Sequence, residues 1–409
     1  MSRPPEARGA ASERPVTDHP AALALAGLLS LVVAIGIGRF VYTPILPYMT
    51  AGLGLAKSQA GLLASANYLG YLLGALAVAR RAPPGDQRRW LLGALAVSGL
   101  STGAMALTTG MAPFLLLRFA NGIAGALTMV LGSSLVMDRL ALAGRAGWAS
   151  LMYVGVGGGV TISALAVPAI AAGGGDWKSP WLFCGAIAVT LSLVVAVLFR
   201  KPQAARGAPP TDGNRPPAPG LGRFVLAYGL FGFGYVTTAT FVSDMVRADP
   251  LLQPAEQWVW LYVGLTAAPS APLWNWAGRR WGNGRAFVTA CLIEAVGVAL
   301  SVSGAGIWPV LAAASLLGGT FVGLTAIGLV HVRHLSGGDP RRNLALMTAA
   351  FGLGQMIGPT LTGVLYDTLG SYQVPSLLAV AALILAAALA ARQTEPQDTP
   401  RWHTSEPSP

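Results

Sequence analysis

Few residues in this chain are chemically capable, and most of them lie inside apolar runs. Arg39 stands in "GIGRFVYTP" (36–44), within a run from Ala21 to Leu46. A cation at mid-bilayer costs about 2.5–3.5 kcal/mol on insertion scales, so such a residue is a functional hypothesis by default. Thr43 lies one helical turn on, on the same face. Arg118 and Asn121 share a face of another run, as do Asn67 and Tyr71 of a third and Tyr235 and Thr238 of a fourth. Gln355 sits beside Gly354 and ahead of Gly358–Pro359. Two cations at similar depth with no central acid repel each other. A carboxylate or phosphate would relieve that repulsion through charge-assisted bonds. Arg39, Thr43, Asn67, Tyr71, Arg118, Asn121, Tyr235, Thr238 and Gln355 are therefore the candidate substrate-binding set, with Tyr235 opposite Arg39.

Each of these residues also has a structural reading. Arg39 could bond carbonyls of a broken helix near Gly36–Gly38, and Arg118 could snorkel outward. Polar side chains can simply bond across helices, where such bonds average about 0.6 kcal/mol. Glu294, central in its run, is the proton-coupling candidate because a span carboxyl can take and release a proton. Asp138 and Asp367 lie at run ends, where ion pairs with nearby arginines account for them, and Asp244 lies near an outer end. The chain has no Gly-Lys pair for a P-loop, its one GxSxG match, "GLSTG" (99–103), lies inside an apolar run rather than at a strand-to-helix elbow, and His19, His331, His334 and His403 fall in tails or at run ends. Cys184 and Cys291 are isolated, so neither a disulfide framework nor a zinc site is expected. No catalytic residue, metal or cofactor is expected.

The elements that must position these residues follow from composition. The chain has 409 residues, of which 54% are hydrophobic and only 11% charged. Soluble domains carry about 25% charged residues, so the bilayer is the expected solvent. A span needs about 20 apolar residues, and in lipid it must be helical to satisfy its backbone. Such runs occur at 22–48, 59–80, 90–109, 112–136, 146–172, 180–199, 222–246, 257–277, 285–304, 308–335, 343–368 and 372–391. The reading is an all-α integral membrane protein of twelve transmembrane helices. Segments 1–20 and 393–409 read as disordered cytoplasmic tails. Segments 21–200 and 222–392 read as six-helix bundles, and the Pro/Gly-rich 201–221 reads as a cytoplasmic linker. The first run is too long for a signal-peptide core and reads as an uncleaved span.

Of the 27 Lys and Arg residues, only Lys57, Lys178 and Arg247 fall on the outer side when both termini are cytoplasmic, and Arg39 and Arg118 lie within spans. The positive-inside rule thus favours cytoplasmic termini. The net charge of +11 reflects these loops rather than one basic face, so nucleic acid is not an expected partner. Trp90, Trp148, Trp177, Trp181, Trp258, Trp260, Trp274, Trp276, Trp281 and Trp308 lie near run ends and are expected to form an interfacial belt.

The halves also resemble each other at a nearly constant offset. "GIGRF" (36–40) pairs with "GFGYV" (232–236), Gly122 with Gly319, "GVG" (155–157) with "GLG" (352–354), and Gly99 with Gly297. A duplicated six-helix unit has the same orientation in both copies. This relates the halves by a pseudo-twofold along the membrane normal. Small faces at Gly36–Gly38 and Gly232–Gly234 are expected to let the first and seventh spans slide.

The stretches "GIGRFVYTPILPYM" (36–49), "SQAGLLASANYLGYLLGAL" (58–76), "RFANGIAGALTMVLGSSLV" (118–136), "FGFGYVTTATFV" (231–242) and "MTAAFGLGQMIGPTLTG" (347–363) carry a family resemblance. Together they make the chain resemble a major facilitator superfamily transporter, and more narrowly the bacterial YbfB/YjiJ-type family, over nearly all of 21–391. The resemblance implies the major facilitator fold. It places spans 1, 4, 7 and 10 around the cavity and 3, 6, 9 and 12 outside. The superfamily's Gly-x-x-x-Asp-Arg loop motif departs here, since Val78 stands at the acidic position after Gly74 and only Arg80 and Arg81 remain. "AGRRWGNGR" (277–285) lacks the acid as well. The charge lock of that motif therefore has no acidic member. "GQMIGP" (354–359) resembles the Gly-Pro bend of facilitator antiporters, transposed from span 5 to span 11.

The expected function is secondary active transport of a small organic solute across the bacterial inner membrane by alternating access. An organic anion is the class that Arg39 and Arg118 favour, and protons are the candidate coupling ion. The expected state is a monomer in a lipid bilayer. The alternative is a non-transporting sensor or scaffold on the same fold. An enzyme is disfavoured for want of a nucleophile or metal cluster.

Overall fold

The computed structural model describes residues 19–81, 83–199, 220–336 and 340–392, apart from the side chains of Ala146, His334, Pro340 and Arg341. The expected tails, all but a residue or two, and nearly all of the linker at 201–221 lie outside the described residues. Among those residues, eleven helices are long and apolar enough to cross a membrane. They are α1 (Pro20–Leu53), α2 (Lys57–Arg80), α3 (Gln87–Leu107), α4 (Met111–Leu142), α5 (Gly147–Ala172), α6 (Lys178–Leu198), α7 (Leu221–Ala248), α9 (Asn283–Ser301), α10 (Ile307–Arg333), α11 (Arg342–Leu369) and α12 (Gln373–Ala391). The remaining helix, α8 (Glu256–Trp281), is long enough at 26 residues but less apolar, because Trp, Pro and Gly replace much of its Leu and Val. Successive helices alternate in direction. The bundle thus has a terminal face, where α1 begins and α12 ends, and a far face opposite.

The first helix is not continuous. An α-helical segment Pro20–Leu31 passes into a π-helical turn Val32–Ile37, and a second segment Tyr42–Leu53 follows. The widened turn shows in the Gly38 N–H to Val33 O (2.8 Å) and Phe40 N–H to Ile35 O (3.2 Å) bonds. Its cause is local. Pro44 has no N–H to give Phe40 O, and its ring crowds that carbonyl. The Thr43 N–H turns to Phe40 O instead, at 3.2 Å. The carbonyls of Gly38 and Arg39 are left needing donors from outside the helix.

Glycines set the close approaches inside each half. Gly155 and Gly159 of α5 press on the α1 backbone at Leu28 and Gly36, while Gly354 and Gly358 of α11 press on α7 at Gly229 and Phe233. The same four-residue spacing thus makes the same contact in both halves. The structural counterpart of Gly155 is Gly354 rather than Gly352. Likewise Gly122 packs on Asn67 O of α2, and it is Gly318, not Gly319, that packs on Val263 O of α8. The duplication stands, but its register follows backbone contacts rather than the nearest matching glycine.

The sliding face expected between α1 and α7 is not built from Gly36, Gly38, Gly232 and Gly234. Gly36 lies against α5, Gly38 against Ser98 and Asn121, Gly232 against Phe351 and Gly234 against Leu383, each within its own half. Small residues meet between the halves elsewhere. Gly157 of α5 approaches Gly264 and Ala268 of α8, and Gly61 of α2 approaches Pro359 of α11.

Four of the tryptophans expected in a belt are inside instead. Trp177, Trp181, Trp260 and Trp274 are buried. Two of them use their N–H on internal acceptors: Trp260 donates to Ser163 Oγ (3.2 Å) and Trp274 to Gly319 O (2.7 Å). Trp90, Trp148, Trp258, Trp276, Trp281 and Trp308 are exposed, as an interfacial position requires.

Candidate functional site

Tyr71, Tyr235 and Gln355 each sit about halfway along α2, α7 and α11. The Gln355 amide donates to the Tyr235 hydroxyl across α7 and α11, leaving Gln355 Oε1 buried without a partner. The Tyr235 ring stacks almost parallel on Phe321 of α10 (5.6 Å between centroids, 9°) and on Phe351 of α11 (5.9 Å, 10°). Phe40 of α1 closes this stack with its edge on Phe321, at 5.5 Å. The aromatic column ties the neighbour of Arg39 to the Tyr235–Gln355 pair of the other half.

Arg39 is 7% exposed. Its guanidinium carbon lies 4.1 Å from the Tyr71 ring centre and 5.2 Å from that of Tyr68. The faces of a buried cation are thereby partly stabilised by ring quadrupoles. Its edge is different: Nε and Nη2 are buried and have no hydrogen-bond partner. These two nitrogens carry parallel N–H bonds, the fork that fits a carboxylate with two bonds at once. Arg39 and Tyr68 both lie within electrostatic range of the Tyr235 hydroxyl, so the empty fork and the Tyr–Gln pair belong to one locality.

Arg118 is placed differently from the expectation that it lines the cavity beside Arg39. Its Nη1 donates to Gly38 O (3.2 Å), its Nη2 to Arg39 O (3.4 Å) and its Nε to Leu63 O (3.4 Å). The guanidinium is thus spent on the two carbonyls that the α1 break releases and on one of α2. Tyr42 lies under it, 4.7 Å from the ring centre. The role of brace for a broken helix, first considered for Arg39, falls to Arg118. Asn67 extends the brace by donating to Arg118 O (3.1 Å) and to Asn121 Oδ1 (3.2 Å). The Asn121 amide in turn reaches Ser98 O (3.0 Å) and Ser101 Oγ (3.0 Å) of α3. These bonds make Asn67 and Asn121 cross-links among α2, α3 and α4.

Thr43 donates to Ala239 O of α7 at 2.7 Å, a bond between the halves. Thr238 is buried, with its hydroxyl unpartnered. Glu294 is fully buried in α9, and neither carboxyl oxygen meets a partner. The neighbouring Thr320 hydroxyl donates to Leu316 O at 2.7 Å. Glu294 lies within electrostatic range of Tyr235. Asp367 does not pair with an arginine as expected. Its carboxylate accepts the backbone N–H groups of Lys57 (3.0 Å) and Ser58 (2.9 Å), capping α2 from the other half.

Sequence reasoning missed Tyr68, although it lies three residues before Tyr71 and so on the same helical face. It also missed Phe40, Phe321 and Phe351, whose aromatic type carried no positional signal. Among the described residues no group of His, Cys, Asp and Glu could hold a metal ion. A groove of about 510 Å³ between α3 and α4, lined by Trp90, Gly93, Val97, Ile123 and Leu127, opens on the outside of the bundle, away from Arg39.

Residues 31–391 match the family described as "Uncharacterised MFS-type transporter YbfB". No curated protein matches the sequence. Among solved structures, the nucleoside transporter NupG superposes with a TM-score of 0.68 at 16% identity, covering 91% of this chain and 98% of that one. A point mutant of the same nucleoside transporter gives 0.70 at 16% identity, covering 91% and 100%. A bacterial homologue of the human lysosomal transporter Spinster, in an inward-facing, unoccupied conformation, gives 0.66 at 16% identity, covering 91% and 95%. At that identity the likeness is one of fold: two six-helix halves related by a pseudo-twofold axis.

Proposed function

Because the chain belongs to the YbfB-type family of major facilitator transporters, we propose that it carries a small organic anion across the bacterial inner membrane by secondary active, alternating-access transport. The observation that carries this reading is the edge of Arg39, with two buried, parallel N–H donors and no acceptor. An unpaired buried donor costs about 1–3 kcal/mol, more when charged, unless something arrives to accept from it. A carboxylate satisfies both N–H groups and the charge together. Gln355 Oε1, also unpartnered, is placed to meet a donor on the same solute.

In this reading the halves, 21–200 and 222–392, rock about the linker 201–221 with the solute between them. Both termini are cytoplasmic, since the Lys and Arg excess lies on the terminal face. The far face is then periplasmic, and the protein works as a monomer. Arg39 holds the carboxylate, Tyr71 and Tyr68 shield the guanidinium faces, and the Tyr235–Gln355 pair forms the opposing wall. Arg118, Asn67 and Asn121 serve the site indirectly, by fixing the shape of the α1 break. Glu294 is the candidate proton carrier because of its unpartnered carboxyl near Tyr235. Uptake by Glu294→Gln that still follows a pH gradient would remove that role.

A melting-temperature screen of the purified protein with small carboxylates and their methyl esters tests the anion reading. At least one acid should raise the melting temperature while its ester, which has lost the charge and one acceptor oxygen, does not. Esters that stabilise as well as the acids would overturn it.

A further inference from the structure

We propose that the transported carboxylate also carries a protonated amine, received by Gln355 Oε1 and balanced by Glu294, so that the solute is of amino-acid type. The proposal rests on the reading of Arg39 as a carboxylate site and narrows it. Its basis is the sign of the buried groups that lack partners around the Tyr235 hydroxyl. On the first half they are donors, Nε and Nη2 of Arg39. On the second half they are Gln355 Oε1, an acceptor, and both carboxyl oxygens of Glu294. Thr238, one turn from Tyr235 on α7, adds an unpartnered hydroxyl that can serve either end. Arg39, Gln355, Glu294 and Thr238 are all buried.

These groups share one locality. The Gln355 amide nitrogen is bonded to the Tyr235 hydroxyl. Arg39 and Glu294 both lie within electrostatic range of that hydroxyl. Packing links Glu294 to it as well. Glu294 neighbours Thr320, and the next residue, Phe321, stacks on the Tyr235 ring at 5.6 Å. Cys291, one turn from Glu294 on α9, is its other close neighbour. Neither Thr320 nor Cys291 carries a positive charge that could offset the carboxylate.

A hydroxyl on the solute would satisfy Gln355 alone. Glu294 asks for more, because a buried carboxylate needs a counter-charge as well as donors. An ammonium brings both, with three N–H donors against the single one of a hydroxyl. The rings of Tyr235, Phe321 and Phe351 beside these groups tolerate a cation, since their faces are negative. The charges then close: Arg39 offsets the carboxylate of the solute and Glu294 offsets its amine. A carboxyl can face a proton in one part of a cycle and an ammonium in another, so this role of Glu294 is compatible with proton carriage.

The test is calorimetric binding to the purified full-length protein at about pH 7, where alkyl amines are protonated and carboxylates ionised. The ligands are matched sets of carboxylic acids in which an amino, a hydroxyl or a methyl group occupies the same carbon. Some sets carry it next to the carboxylate and others at the far end of the chain. In at least one set the amino acid should bind at least about tenfold tighter than both analogues, the factor that one bond to a charged group supplies. Glu294→Gln and Gln355→Leu should each shrink that advantage and leave the affinity for the methyl analogue near wild type, which a merely structural role would not do. Arg39→Lys should weaken all three acids alike. Hydroxyl or methyl analogues that bind as tightly as the amino acid in every set would overturn the proposal, as would a Glu294→Gln protein that keeps the full advantage. If Glu294→Gln fails to fold, the wild-type ranking together with Gln355→Leu decides. A flat ranking among the acids removes the amine and leaves the carboxylate reading standing. Methyl esters that bind as tightly as their acids remove that reading, and this one with it.

Discussion

Arg39 and Arg118 are the same residue type at similar depth, yet the structure uses them in opposite ways. Arg118 has every guanidinium nitrogen bonded to a carbonyl, two of them at the α1 break. Arg39 has its fork empty and its faces covered by Tyr68 and Tyr71. Removing the brace should therefore cost stability. Arg118→Leu leaves three carbonyls without their donor and should destabilise the protein by about 3 kcal/mol or more, since bonds to charged groups are worth about 1.5–3 kcal/mol each. A marked drop in melting temperature or membrane yield would be the sign of it. An unchanged melting temperature would show that the bonds to Gly38 and Arg39 are dispensable. The sequence made both cations legible as exceptional. It could not divide the roles between them, because the division depends on which carbonyls Pro44 sets free. Asn67 and Asn121 were placed in the substrate-binding set for the same reason, since a polar side chain inside a span reads alike whether it meets a solute or a neighbouring helix.

Twelve helices were readable from the apolar runs, and their alternation from the charged loops. The break in α1 was read only as an alternative setting for Arg39 near Gly36–Gly38, although Gly36, Gly38, Pro44 and Pro47 together signal it. Neither proline can donate to the helix ladder, and the flanking glycines allow the wider turn. Glycine contacts showed a similar limit. Spacing identified the small residues, but only packing shows which helix each one admits. Gly159 faces the Gly36 backbone inside the first half, whereas Gly157, two residues away, faces α8 across the seam. The two should fail differently. Gly159→Leu would place a side chain into backbone and should destabilise the first half, read as lost melting temperature. Gly157→Leu should leave each half folded and instead hold the halves apart, read as lost transport at near-normal melting temperature. The same outcome for both variants would contradict the assignment of one contact within a half and the other between halves.

Across the whole molecule, several polar bonds between the halves gather toward the far face: Lys57 with Asp244, Asp367 with the α2 amides, Thr43 with Ala239 and Ser65 with Met356 O (2.6 Å). Arg247 of α7 adds a contact over the Tyr48 ring of α1, at 4.1 Å. These bonds tie the halves together on the far face, and on the proposed alternating-access reading they must exchange for others on the terminal face during the cycle. The central claim is that the empty fork of Arg39 receives an anionic solute. Arg39→Lys tests it, because lysine keeps the charge but loses the planar pair of N–H donors. The measurement is uptake of the most stabilising carboxylate into proteoliposomes, comparing wild type with Arg39→Lys. The account predicts at least about a tenfold loss in apparent affinity, since about 1.4 kcal/mol of bidentate bonding corresponds to that factor, with a melting temperature near that of the wild type. Uptake by Arg39→Lys with unchanged affinity would contradict it.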